Sequence, residues 1–130
     1  MDKTFEQGLD EIAKLVEYFR KNRSSFLAPD IKEAQVRQNL IDPMFEALGW
    51  DVGNENLVAP RYREVVIEKS MDVEGQRKAP DYAFRVGTTT KFYAEAKKCG
   101  VNIEKDPLPA FQLRRYAWSS KLPLSILTDF

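Results

Sequence analysis

The chain has 130 residues, 43% of them hydrophobic, enough for one domain with a real core and short of two. Its 20 Lys and Arg balance 20 Asp and Glu, so a formal charge of +0 advertises neither nucleic acid nor an anionic membrane, and any such partner must be met by a local patch. A single cysteine, Cys99, excludes an internal disulfide, and the absence of histidine removes the usual zinc-ligand clusters.

That cysteine usage fits a reducing cytoplasm. The N-terminal stretch MDKTFEQGLDEIAKLVEYFRKNR scatters charge through its apolar positions, unlike a signal peptide, and no run approaches the ~18 apolar residues of a membrane span. A soluble protein with no membrane partner is expected. Phe5, Leu9, Ile12, Val16 and Phe19 recur at steps of three or four and predict an amphipathic helix, with Thr4 and Gln7 as its capping box. After the loop RSSFLAPD, Asp30 is placed to cap a second helix with Val36, Leu40, Met44, Ala47 and Leu48 on one face and Gly49 as its stop. Pro43 should kink that helix or interrupt its hydrogen bonds.

Beyond the polar GNENLVAPRYR, the runs EVVIEKSMDV, DYAFRV and KFYAEAKK predict a three-stranded meander. Leu108 to Ser119 reads as a helix. The apolar LPLSILTDF then reads as a strand brought by a crossover to lie parallel inside the sheet, so that the chain is expected to be cut from something longer. The order α, α, β, β, β, α, β predicts an α/β fold, a mixed central sheet flanked by helices.

The charges on these strands pose the functional question. Strand side chains alternate, so Tyr93, Glu95 and Lys97 share one face of KFYAEAKK, while Asp81, Ala83 and Arg85 share one face of DYAFRV. A hairpin closing on about three residues around GTT sets Asp81 across from Glu95. A shift of two sets it across from Lys97 instead. Either register gathers Asp81, Glu95 and Lys97. Two carboxylates this close repel unless a cation lies between them, and oxygen ligands suit magnesium over zinc. A neighbouring lysine can then position water or stabilise charge on a phosphodiester under attack. The other reading is a solvated edge strand with Asp81 as a strand-start residue after Pro80.

Beyond their spacing, these residues resemble a known family. APDY followed by EAKK is similar to the PD-(D/E)xK nuclease signature, with Pro80, Asp81, Glu95 and Lys97 in matching places and Ala96 as the x. EAQVRQNLIDPMFEALGWDV, residues 33–52, resembles the helix that opens the nuclease domain of type I restriction R subunits and of single-chain type II restriction-modification proteins. FQLRRYAWSSKLPLSILTDF, residues 111–130, is similar to the segment after the catalytic strand in those proteins.

The resemblance implies a restriction-endonuclease-like fold and Mg2+-dependent cleavage of double-stranded DNA. Residues 1–130 would form a single nuclease-like domain, the N-terminal module of a longer enzyme with methyltransferase and target-recognition parts, and two copies would meet for double-strand cleavage. It implies that Asp81, Glu95 and Lys97 are catalytic and that Asp81, Glu95 and the Ala96 carbonyl hold the metal. Glu33 joins them as the family's helix acid, although its spacing from Asp30 also suits a capping box. Gln112 and Tyr116, one helical turn apart, would lie close to the centre in support. Arg77, Lys78, Arg85, Lys98, Arg114 and Arg115 are the candidates for DNA contact, and each is equally readable as a solvated charge. A competing function is a catalytically idle nuclease fold that binds DNA or docks partner domains.

Overall fold

Helix α1 (Phe5–Lys21) opens with the capping box its sequence spells: Gln7 N–H donates to Thr4 Oγ1 at 3.1 Å and Thr4 N–H donates to Gln7 Oε1 at 2.9 Å. The computed structural model describes residues 3–67, 72–73, 76–77, 80–101, 103–105, 107–122 and 124–130, leaving out the side chains of 72, 73, 76, 77, 109, 112, 116, 117 and 119. A short helix α2 (Arg23–Phe26) comes after α1 and buries Phe26. No helix among the described residues is long and apolar enough to cross a membrane.

The second helical region departs from its expected register. Helix α3 (Glu33–Val36) starts two residues later than an Asp30 cap would place it: Lys32 is the N-cap residue, and its N–H donates to Gln35 Oε1 at 2.9 Å. The chain then widens into a five-residue π-helical turn, Arg37–Ile41, before α4 (Asp42–Ala47). Pro43 has no N–H to give, and it stands just past the π-turn, in the first turn of α4, where a proline is tolerated. Such a turn holds one residue more than an α-helical turn and so rotates the helix beyond it. Val36, Leu40 and Ala47 are buried and Met44 packs against the core as expected, but past the turn Ile41 and Phe45 join them while Leu48 is exposed. Gly49 ends the helix at φ +104°, the left-handed position glycine tolerates best.

Strands β1 (Val65–Ile67), β4 (Tyr82–Val86), β5 (Thr89–Ala96) and β6 (Ser125–Thr128) form a four-stranded sheet in the order β1-β4-β5-β6. The expected meander is present as β1, β4 and β5, antiparallel throughout, with a two-residue ribbon of β2 (Asp72–Val73) and β3 (Gln76–Arg77) inserted into its first connection. Helix α5 (Pro107–Ser119) crosses to β6, which pairs parallel with β5. β6 lies at the sheet edge among the described strands, not inside it, so β4 and β5 are the central pair. Their hairpin turns on two residues, Gly87 and Thr88, with Gly87 at φ +64°. A register shift beside Phe84 leaves Lys91 as the extra residue, which accounts for the missing third loop residue.

The sheet is thus mixed, and it is covered on both faces. On one face Phe45 of α4 packs edge-on against Tyr82 and Phe84, ring centroids 5.3 and 4.7 Å apart, and Trp50 against Phe84 at 5.0 Å. On the face of Tyr93, α5 closes the other side, and the Tyr93 hydroxyl shares a 2.7 Å hydrogen bond with Ser120 Oγ just past the helix. α1 lies on α4 through Gly8. A Cβ there would stand 2.5 Å from the Ala47 carbonyl oxygen. The N-terminal end of the α1 stripe reaches past this contact: Phe5 and Leu9 are 79% and 57% exposed.

Because that carbonyl is backbone and cannot swing aside, Gly8→Ala should lose more from the overlap than alanine gains in helix propensity. A net loss of about 1–3 kcal/mol is expected. Thermal unfolding of the variant beside the wild-type chain measures it.

Candidate active site

Two acids lie at the end of the central strands, and both are fully buried: Asp81 and Glu95 each have 0% exposure. Pro80 favours an extended entry into β4. The strand then pairs Tyr82 with Ala94, a register that continues to Asp81 beside Glu95. There the side chains take over from the ladder. Asp81 N–H donates to Glu95 Oε1 at 2.8 Å, and Ala96 N–H donates to Asp81 Oδ2 at 2.9 Å. Each carboxylate therefore binds the backbone of the opposite strand. Both acids are oriented by buried amides instead of by solvent.

A third group reaches them from the helical layer. Arg37, first residue of the π-turn, sets Nη1 3.2 Å from Asp81 Oδ1, its side chain 16% exposed. At the other end of that turn the half-buried Asp42 accepts a hydrogen bond from the Tyr82 hydroxyl. Burial pushes the Asp42 carboxyl above its usual value of 3.8, opposed by the Tyr82 hydroxyl and then by the Arg37 charge. The Tyr82 phenol is driven far upward by burial and by the Asp42 carboxylate, so it stays protonated and donating. Arg37, Asp42 and Tyr82 thus join the helical layer to the first residues of β4.

The remaining sequence-derived candidates fall into separate places. Ala96 is buried next to Glu95. Lys97 is half-buried just past β5, its N–H donates to Thr128 O at 2.9 Å, and its ammonium forms no ion pair among the described residues. Glu33 is the half-buried first residue of α3, one turn before Arg37, and since Gln35 fills the capping box, Glu33 is not the capping acid. Arg85 stands at the far end of β4 with its guanidinium spent on the Arg63 and Pro60 carbonyls, each at 2.9 Å, which ties down the loop before β1. Lys98 is half-buried, and Arg114 and Arg115 are exposed on α5. Lys78 and the side chains of Arg77, Gln112 and Tyr116 lie outside the described residues.

Among the described residues, no cluster of three or more acidic, cysteine or histidine side chains is close enough to hold a metal ion by itself. What the described residues offer is two interlocked carboxylates, hard oxygen donors, with the Arg37 guanidinium on Asp81. That donor set fits Mg2+, which binds through one or two carboxylates and keeps several waters.

With known proteins the chain shares sequence over nearly its whole length. Over 123 residues it is 33% identical to the type II restriction enzyme and methyltransferase RM.Eco57I of Escherichia coli, an alignment that spans 93% of this chain and 12% of that protein. The chain is related to a segment of a restriction enzyme. No protein-family model and no solved structure matches it.

The Asp42–Tyr82 contact has a pH signature. Because the folded Asp42 carboxyl titrates above 3.8, ionising it costs stability as pH rises through its folded value, and the cost is absent below 3.8 where both states are protonated. Tyr82→Phe deletes the hydroxyl that opposes the shift and raises the folded value further. The variant should lose about 1–3 kcal/mol at neutral pH and less near pH 3.5, as read by denaturant unfolding at the two pH values.

Proposed function

We propose that the chain is a Mg2+-dependent endonuclease module of the PD-(D/E)xK kind, with a restriction-endonuclease-like fold, which hydrolyses phosphodiester bonds of double-stranded DNA. The observation that carries this reading is the buried Asp81–Glu95 pair, held by Asp81 N–H and Ala96 N–H, with Lys97 next along the same strand. Burying two like charges is costly and contributes little to a fold that could place apolar residues there. Such an arrangement is understandable where the charges have a task. The kinship with a restriction enzyme and methyltransferase adds the setting.

In this reading Asp81 and Glu95 hold Mg2+, with the Ala96 carbonyl and Glu33 as further oxygen donors. When bound, the ion supplies Lewis-acid stabilisation of the charge that develops on the phosphate. The chain's own residues do the rest. The amides of Asp81 and Ala96 fix the two carboxylates before substrate arrives, so that little reorganisation is left for the reaction. Lys97, on the same strand face as Glu95, orients the attacking water and takes part in its proton transfer. Gln112 and Tyr116 support the centre from α5, and Arg114, Arg115, Lys98, Arg77 and Lys78 offer charge to the duplex backbone. Arg85 is left out of that group, because its guanidinium is engaged with the loop.

The chain spans 12% of the length of the relative it matches, so it is proposed as one module, residues 1–130, of a longer restriction-modification protein. Methyltransferase and target-recognition domains are its proposed partners there. Two modules acting together would cut both strands, in the cytoplasm where the DNA lies.

Lys97→Ala, tested in a longer protein that carries this chain, should lower Mg2+-dependent cleavage of duplex DNA by about 10²–10⁴-fold while leaving the unfolding curve unchanged. Full cleavage by that variant would remove Lys97 from the chemistry. Absence of Mg2+-dependent cleavage by the wild type, with DNA binding retained, would favour an idle DNA-binding module instead.

A further inference from the structure

Arg37 has no part in the proposed cleavage chemistry, yet its guanidinium is paired with Asp81. Its Nη1 lies 3.2 Å from Asp81 Oδ1, and its side chain is 16% exposed where Asp81 is 0% exposed, so it closes the acid pair at the rim of the site. We propose that Arg37 is a placeholder cation: without metal its guanidinium neutralises the buried carboxylates, and a divalent cation enters by displacing it from Asp81 Oδ1. This inference rests on the metal-site reading of Asp81 and Glu95.

Two opposing effects of Arg37 on metal binding must be weighed. It could help by orienting Asp81, or hinder by occupying one of its oxygens and repelling a second cation. Orientation does not depend on it. Asp81 Oδ2 is already held by Ala96 N–H at 2.9 Å, and the Asp81 backbone is tied to Glu95 Oε1 at 2.8 Å, so the carboxylate keeps its direction without the guanidinium. Competition does depend on it, because a full positive charge at hydrogen-bond distance from a ligand oxygen repels an incoming dication and takes up that oxygen's lone pair. Competition therefore outweighs orientation.

The π-turn gives the displaced guanidinium a second partner. Asp42 N–H donates to the Arg37 carbonyl across the turn, stacking the two residues at the wider spacing of a π-helix. The Arg37 charge is felt at the Asp42 carboxyl, whose Oδ1 is taken by Tyr82. The side chain at the head of the turn thus stands between two acids, one in the sheet and one on its own helix.

The test is calorimetric titration of the full chain with MgCl2, with thermal unfolding in EDTA and in Mg2+, for the wild type, Arg37→Met, Arg37→Gln and Arg37→Lys. The neutral variants should bind Mg2+ about tenfold more tightly than the wild type, unfold at lower temperature in EDTA and recover in Mg2+, while Arg37→Lys should bind like the wild type. Arg37→Gln keeps a donor for Asp81 Oδ1 and serves if Arg37→Met does not fold. Failure of the neutral variants to fold without Mg2+, with folding restored by it, would support the exchange. Equal or weaker Mg2+ binding by the neutral variants would overturn it and leave Arg37 a structural ion pair. A wild-type chain that binds no Mg2+ at millimolar concentration would overturn the metal-site reading itself, and the exchange with it.

Discussion

The structure turns on two carboxylates that the chain buries side by side. Two like charges held this close repel, on top of the cost of removing each from water. A fold carries such a pair only if donors and counter-charge are built around it, and most of what surrounds Asp81 and Glu95 answers that need. Backbone amides are supplied by letting the β4–β5 ladder give way to side-chain bonds at its end. A guanidinium is supplied by the helical layer. Desolvation is supplied by covering the sheet on both faces, which a crossover helix on one side and the α3–α4 region on the other accomplish.

The helical layer meets this need through its one irregularity. A regular α-helix from Glu33 to Ala47 would keep Val36, Leu40, Met44 and Ala47 on a single stripe, and Pro43 would leave a carbonyl without a donor. The π-turn accommodates the proline and rotates the second half so that Ile41 and Phe45 complete the core. It also brings Arg37 and Asp42, five apart, to two consecutive residues at the entry to β4: Arg37 to Asp81, just before the strand, and Asp42 to Tyr82, its first residue. Packing and electrostatics are set by the same extra residue. The phenol of Tyr82 serves both, its ring in the aromatic core and its hydroxyl on Asp42.

Much of this was legible in the sequence, and the limits have physical causes. Period-3.6 and period-2 patterns located the elements because burial imposes those periods, and Thr4 with Gln7 marked the start of α1 because the cap is a local hydrogen-bond exchange. The alternation that set Glu95 on one strand face and Asp81 on another predicted their meeting, in the first of the two registers considered. Arg37 and Asp42 escaped the same reasoning. A fixed helical period turns Asp42 to solvent and sets Arg37, three before Leu40 and seven before Met44, among the apolar positions of the stripe, where a charge has no evident partner; the inserted residue that brings Asp42 in depends on how the whole helix seats on the sheet. Pro43 was the visible trace of it. The Asp30 cap failed for a similar reason: several residues near a helix start can satisfy its amides, and Gln35 did so from inside. The position of β6 at an edge could not be read from apolarity, since its four half-buried residues, packed beside α5, make as apolar a run as an interior strand would.

The distribution of positive charge narrows how such a module could meet DNA. Of the arginines that sequence spacing or the structure singles out, Arg37 is paired with Asp81, and Arg63 and Arg85 donate to backbone carbonyls that hold the loop before β1. Among the candidates whose side chains are described, that leaves Arg114 and Arg115 on α5 and the half-buried Lys97 and Lys98 just past Glu95 in the chain. Affinity for a duplex grows with the number of phosphates neutralised, and each contact is weakened by salt. A chain of formal charge +0 with three of its guanidinium groups engaged internally has correspondingly fewer contacts to give. In the proposed reading, then, this domain is built to cut what another domain holds, and holding and cutting are divided between different parts of a longer protein.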